Sequence, residues 1–150
     1  MRAVVQRVSK AQVSVEGEIV GSIGAGVVVL LAVGSGDGTQ DLAFMVRKLV
    51  NLRIFNDADG KLNRSVADVN GEILLISQFT LYGDCRKGNR PSFTRAAPPN
   101  EADATYQQLA EELRSRGVRV ATGRFQAMMT VSLVNEGPVT LIIDSKKEFH

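Results

Sequence analysis

Two short segments carry side chains that could do chemistry, and neither contains a histidine. The first is SQFTLYGD at 77–84, in which the hydroxyl groups of Ser77 and Thr80 stand on either side of the amide of Gln78. The second is NEGPVT at 135–140, which contains a Gly-Pro dipeptide. Because a hydroxyl group can serve as a nucleophile or as a hydrogen-bond partner, we expect the chemistry of this protein where these two segments meet.

Each segment also has a simpler structural interpretation. Residues 72–82 form the longest strand candidate and change from apolar to polar at Ser77, which on pattern alone favours a buried strand that emerges at the surface. Residues 135–138 have the composition of a tight turn between two strands, which local sequence favours. The sequence leaves the isomer of the Gly137–Pro138 bond open.

The composition argues against several common kinds of catalytic site. The only histidine is His150, the last residue, and chain ends are usually mobile, so His150 is a poor general base. A Ser-His-Asp triad and a histidine zinc site are therefore not expected. Cys85 is the single cysteine, which excludes an intrachain disulfide and a thiolate metal site. We predict an activity without metal or cofactor.

Length and hydropathy indicate how many domains the chain forms and whether it contacts a membrane. A chain of 150 residues suits one domain, and we expect a single domain over 1–150. Residues 1–15 alternate apolar and polar side chains, which is not typical of a signal peptide, and the longest apolar run, 27–33, is too short to cross a membrane. We expect a reduced, cytoplasmic setting and no membrane contact.

A basic loop lies between the two segments. Within the predicted loop at 84–99, four cations stand close together, namely Arg86, Lys87, Arg90 and Arg95. A net charge of +2 does not by itself indicate a nucleic-acid-binding protein. A solvated loop is the default interpretation of such a cluster, and contact with RNA phosphates is the alternative. Phe93 could stack on a base or anchor the loop.

The elements that must position these segments are strands separated by two helices. Strands are expected at 2–15, 19–23, 27–33, 72–82, 118–121, 130–134 and 139–143, with a hairpin turn at 59–60. Helices are expected at about 40–52, capped by Thr39, and from Asn100 as a cap to about 116. This order predicts an α/β fold: mixed β-sheet layers, or a barrel-like β structure, with two main helices packed on one side.

Arg7 stands out in the first predicted strand. It shares a face with Val5 and Ser9, and if that face is buried the guanidinium needs a carboxylate or backbone carbonyls as partners. The simpler interpretation is an arginine at the rim of the sheet. Met128 and Met129 are most simply interpreted as core residues.

Taken together, SQFTLYGD and NEGPVT resemble the paired motifs of the D-aminoacyl-tRNA deacylase family. The resemblance runs from MRAVVQRV at the start, through GNRPSF at 88–93, to the last strand. It implies an enzyme that hydrolyses the ester joining a D-amino acid to the terminal adenosine of tRNA. It also implies a homodimer with active sites at the subunit interface.

The resemblance assigns roles residue by residue. It implies a catalytic pocket lined by Ser77, Gln78, Phe79 and Thr80. It implies chiral selection by Gly137 and Pro138, which match a Gly-cis-Pro dipeptide inserted by the partner subunit, with Arg7 orienting that dipeptide and Met129 lining the pocket. Separately from the resemblance, we expect contacts with tRNA at Arg86, Lys87 and Arg90 of the basic loop.

The mechanism that we favour uses backbone and RNA groups. Backbone N–H groups near Phe79 and Thr80 would stabilise the oxyanion, and the 2′-hydroxyl of the RNA would assist water. The competing mechanism makes Thr80 a covalent nucleophile, although its motif offers no evident base. Rejection of an L side chain by main-chain atoms would also admit glycine. Two other functions remain open at this stage: a non-catalytic tRNA-binding dimer, and a threonine-dependent esterase for small molecules.

Overall fold

The structure, a computed structural model, describes residues 1–149. The expectation that His150 is a mobile chain end lies outside the described residues. In chain order the elements are β1 (Arg2–Val15), β2 (Glu18–Ile23), β3 (Gly26–Ala32), α1 (Thr39–Asn51), β4 (Phe55–Asn56), β5 (Leu62–Arg64), β6 (Glu72–Ser77), α2 (Pro99–Ser115), β7 (Arg119–Thr122) and β8 (Thr130–Asp144). Among the described helices, none has the length and apolar character needed to cross a bilayer.

One curled sheet carries the fold. The strands pair in the order β2-β1-β3-β6-β7, and β8 pairs antiparallel with almost the whole length of β1. β3, β6 and β7 run parallel to one another, whereas β4 and β5 form a separate hairpin. Ala121 of β7 and Val131 of β8 lie far apart in the pairing order, yet both pack on the same buried cluster, so the sheet curls towards a barrel.

Two apolar clusters lie on the two faces of this sheet. The first joins β1, β3 and β6 to both helices, and all of the apolar helix positions expected from the sequence are buried: Leu42, Met45, Val46, Leu49 and Val50 of α1, and Ala102, Tyr106, Leu109, Ala110 and Leu113 of α2. The second fills the concave face of the sheet. The predicted fold class is therefore confirmed: a mixed, barrel-like sheet with two helices packed on one side.

The helix caps differ from the prediction. Thr39 and Asn100 lie inside α1 and α2, and the caps are Gly38 and Pro98. The backbone N–H of Gly38 donates a hydrogen bond to the carboxylate of Asp41 at 2.9 Å, so a first-turn acid provides the polar contact at this end. Thr39 is therefore the first residue of α1 and Asn100 the second residue of α2, one and two positions after the observed caps.

Candidate active site

The SQFT segment ends a strand and begins a helical turn. β6 stops at Ser77, and residues Phe79–Tyr82 form a short 3₁₀ helix, in which the N–H of Leu81 donates to the carbonyl of Gln78 at 3.2 Å. The prediction of a strand over 72–82 is therefore wrong beyond Ser77. The pairing of β6 with β3 ends with Ser77 opposite Leu31, and the chain then enters the 3₁₀ helix.

This turn presents polar side chains to solvent, and the hydrogen-bond partner of the Thr80 hydroxyl is an amide. Thr80 is exposed, and its hydroxyl oxygen accepts a hydrogen bond from the side-chain amide of Gln78. An amide cannot remove a proton at neutral pH, so this contact does not activate Thr80 as a nucleophile. Among residues 1–149, no group of three or more His, Cys, Asp or Glu residues could hold a metal ion.

The NEGPVT segment is a bulge within one strand. β8 continues for 15 residues through this segment, so the expected tight turn between two separate strands is wrong. Gln6 pairs with Thr140 and Val8 pairs with Asn135, so the four residues 136–139 face Arg7 alone. We call residues 136–139 the β8 bulge. Within it the Gly137–Pro138 peptide bond is cis, and Gly137 has φ +128°.

Arg7 fills the gap opposite the β8 bulge. Its side chain is buried, and its Nε donates to the carbonyl of Glu136 at 3.1 Å. Its Nη1 donates to the carbonyl of Ile54 at 2.9 Å and to Oδ1 of Asn56 at 3.2 Å. The expectation that a buried Arg7 binds backbone carbonyls is confirmed, and the interpretation as a rim arginine is wrong.

The two segments are separated within one chain. Arg7 pairs with Val27 on one side of β3, and Ser77 pairs with Leu31 on the other side. Four residues of extended β3 span about 13 Å, and two strand spacings add about 10 Å across the sheet. A single chain therefore holds Arg7 and the β8 bulge in one place and the backbone of Ser77 in another.

The two methionines differ sharply in burial. Met129 packs on the concave cluster that contains Ile76, the residue before Ser77. Met128 is 90% exposed, so its interpretation as a core residue is wrong. Met129 therefore lies near the end of β6, where the SQFT segment begins, and away from the β8 bulge of the same chain.

The basic loop carries fewer free charges than its sequence indicated. Arg86 forms an ion pair with Asp84, and Arg95 forms one with Glu148, a residue remote in sequence. The hydrogen bonds from Arg86 lower the pKa of Asp84 to about 2, so this carboxylate stays charged at any physiological pH. Lys87 and Arg90 have no carboxylate within ion-pair distance among the described residues.

An aromatic pair joins the basic loop to the 3₁₀ turn. The rings of Phe79 and Phe93 meet edge to face with centroids 5.1 Å apart, and both remain partly exposed. A side chain on Gly83 would bring its Cβ to 3.1 Å from the Phe93 ring, so glycine permits this close approach. The contact with Phe79 fits the interpretation of Phe93 as an anchor of the loop.

Comparison with known proteins shows the family to which this chain is related. A family model described as D-Tyr-tRNA(Tyr) deacylase matches residues 4–144. A D-aminoacyl-tRNA deacylase of Desulfitobacterium hafniense is 62% identical over 149 residues, covering 99% of this chain and 100% of the relative. The corresponding protein of Syntrophotalea carbinolica is 59% identical, again over 99% of this chain and 100% of the relative.

Two solved structures share the fold. A protein described as c-Myc DNA Unwinding Element Binding Protein superposes with a TM-score of 0.90 at 44% identity, over 96% of this chain and 98% of that one. A probable eukaryotic D-amino acid tRNA deacylase superposes with a TM-score of 0.79 at 21% identity, over 95% and 97%. Fold and sequence together place this chain among the deacylases, a class of hydrolases. Specifically, it belongs to the D-Tyr-tRNA(Tyr) deacylase family.

Proposed function

We propose that this chain hydrolyses the ester that joins a D-amino acid to the terminal adenosine of tRNA. Water attacks the ester carbonyl, the bond from the acyl carbon to the ribose oxygen breaks, and that oxygen takes a proton. The products are a free D-amino acid and tRNA. The observation that carries this proposal is the full-length match to the deacylase family.

The proposed site is shared by two subunits of a homodimer. Ser77, Gln78, Phe79 and Thr80 of one subunit line the pocket, and Gly137 and Pro138 of the second subunit enter it. The separation of Ser77 from Arg7 within one chain supports this assignment, since it spans about 13 Å along β3 alone. The exposure of Gly137 and Pro138 also supports it, because both remain available to a second subunit.

Main-chain atoms act as the chiral selector in this proposal. D and L substrates exchange a hydrogen and a side chain at one carbon, so a selector that accepts many side chains must test space rather than side-chain chemistry. Gly137 and Pro138 would occupy the space that an L side chain needs, with Arg7 holding their position through Glu136. Glycyl-tRNA has no side chain to reject and would enter the same pocket.

Backbone N–H groups are the proposed oxyanion donors. Phe79 and Thr80 begin the 3₁₀ turn, where N–H groups have no carbonyl partner inside the turn. Two such donors can stabilise the charge that develops on the carbonyl oxygen. The 2′-hydroxyl of the terminal ribose is the proposed group that orients water.

The central experiment compares D-Tyr-tRNA and L-Tyr-tRNA as substrates at equal concentrations. We expect rapid hydrolysis of the D ester and slow hydrolysis of the L ester. Equal hydrolysis of both, or of neither, would contradict the proposal. Tight tRNA binding without turnover would instead support the non-catalytic dimer, and turnover of free D-amino-acid esters without RNA would support the small-molecule esterase.

Thr80→Ala tests the mechanism. We expect the variant to keep activity within about tenfold of the wild type, because the hydroxyl has a hydrogen-bonding role, whereas loss of a covalent nucleophile costs on the order of a millionfold. The measurement is single-turnover hydrolysis of D-Tyr-tRNA, with Thr80→Ser as control. A folded Thr80→Ala protein without activity, together with an acyl-enzyme trapped in the wild type, would establish the nucleophile instead.

A second prediction concerns how much each cation of the basic loop contributes to tRNA affinity, which should depend on whether that cation is already ion-paired. Lys87→Ala and Arg90→Ala should weaken binding of uncharged tRNA, and each should reduce the slope of log affinity against log salt by about 1. Arg86→Ala should do less, because Asp84 already neutralises that guanidinium. The measurement is a titration with tRNA at several KCl concentrations, with Lys61→Ala in the β4–β5 turn as control. A larger effect at Arg86 than at Lys87 or Arg90 would refute this ranking.

A further inference from the structure

The side chain of Asn135 connects the two ends of the β8 bulge. Its Oδ1 accepts a hydrogen bond from the backbone N–H of Val139 at 3.2 Å. Its Nδ2 donates to Oγ1 of Thr140 at 2.9 Å. One amide therefore links the residue before the bulge to its last residue and to the residue that follows it.

The same contacts tie the bulge to β1. Oγ1 of Thr140 also accepts a hydrogen bond from Nε2 of Gln6 at 3.3 Å, and Gln6 precedes Arg7. Gln6 thus holds one end of the bulge through Thr140, while Arg7 holds the other end through the carbonyl of Glu136. Asn135 spans the opening between these two attachments.

We infer that Asn135 is a positioning residue that sets the chiral selectivity of the enzyme, an inference that rests on the proposed function. Gly137 has no side chain with which to fix itself, and Gly137 and Pro138 are exposed, so the position of both depends on contacts at the ends of the bulge. An asparagine amide supplies the required acceptor and donor together, which alanine cannot do. A bulge released from Asn135 samples several positions and fills the space of an L side chain for only part of the time.

Two pairs of variants test this role. Asn135→Ala removes both hydrogen bonds of the Asn135 amide, and Thr140→Val removes the hydroxyl that accepts from Asn135 and Gln6. Asn135→Asp keeps an acceptor for Val139, and Thr140→Ser keeps a hydroxyl for Gln6. We expect the first pair to lower the D/L ratio of kcat/KM by about tenfold or more, through faster hydrolysis of the L ester and slower hydrolysis of the D ester. The second pair should restore most of the ratio. Asn51→Ala, which removes one amide hydrogen bond to Arg47 at the end of α1, is the matched control.

Hydrogen exchange of the segment 135–140 provides a readout that does not depend on activity. We expect faster exchange in Asn135→Ala and Thr140→Val than in the wild type, and no change in Asn51→Ala. Unchanged exchange in a folded Asn135→Ala protein would overturn the inference. So would a D/L ratio in Asn135→Ala equal to that of the wild type, provided that the wild type discriminates. A different result would be a wild type that does not discriminate between the esters, together with faster exchange of 135–140 in Asn135→Ala. That result would overturn the proposed function and the link to selectivity, and it would leave Asn135 with a structural role only.

Discussion

Gly137→Ala is expected to lower kcat/KM for D-Tyr-tRNA by on the order of a hundredfold, because it displaces the proposed selector. Gly137 has φ +128°, a conformation that L side chains rarely adopt. A Cβ at this position would lie 2.9 Å from Cγ2 of Val139 and 3.0 Å from both Nη2 of Arg7 and the backbone N of Val139. The bulge must shift to admit the methyl group, and that shift would carry Pro138 into or out of the pocket.

The measurement is the rate of hydrolysis of D-Tyr-tRNA and L-Tyr-tRNA under single-turnover conditions. Gly60→Ala is the matched control, because Gly60 also has positive φ, at +77°, but a Cβ there would meet nothing within 4 Å. Both substitutions put a side chain at positive φ, but only the one at Gly137 creates a clash and lies in the β8 bulge. Normal hydrolysis of the D ester by a folded, dimeric Gly137→Ala protein would contradict the assignment of Gly137 to the pocket.

Arg7→Lys is expected to impair both selectivity and stability. A guanidinium presents several donors in a planar fork, whereas an ammonium on a flexible stem cannot reach the carbonyls of Glu136 and Ile54 in the same geometry. We expect the D/L ratio of kcat/KM to fall by at least about tenfold. The free energy of unfolding should fall by about 2 kcal/mol, since a buried carbonyl loses a charged donor.

The control for Arg7 is Arg114→Lys. Nη2 of Arg114 donates to the carbonyl of Val120 at 3.0 Å, so this variant also loses a guanidinium contact to the backbone. It should lower stability and leave the D/L ratio unchanged. A decrease in stability in both variants, with selectivity retained in both, would show that Arg7 serves the fold alone.

Where structure follows from local periodicity, the sequence predicted it well. The apolar positions of α1 and α2 repeat at helical spacing, and every one of them is buried. β1 likewise spans the predicted 2–15. These elements need little information from elsewhere, because one face of each must be buried whatever its partner is.

The two site segments depended on distant residues and were therefore mispredicted locally. Alternation at 77–82 fits a strand and gives no sign of the 3₁₀ turn that begins at Phe79, where the pairing of β6 with β3 has ended. The composition of 135–138 fits a tight turn, whereas Arg7 and the pairing of β1 with both flanks keep β8 continuous. The ion pair of Arg95 with Glu148 likewise could not be predicted from local sequence, because the two residues are remote in the chain.

The contacts of Arg7 with Ile54 and Asn56 connect the proposed selector to the segment between α1 and β4. One guanidinium joins the β8 bulge to the chain that follows α1, so under the proposed function residues that never contact the substrate would affect the discrimination between D and L esters. A substitution that shifts the α1–β4 connection moves the carbonyl of Ile54 and hence Arg7. Under the proposed function, selection for D/L discrimination would therefore limit the substitutions that the α1–β4 connection can accept.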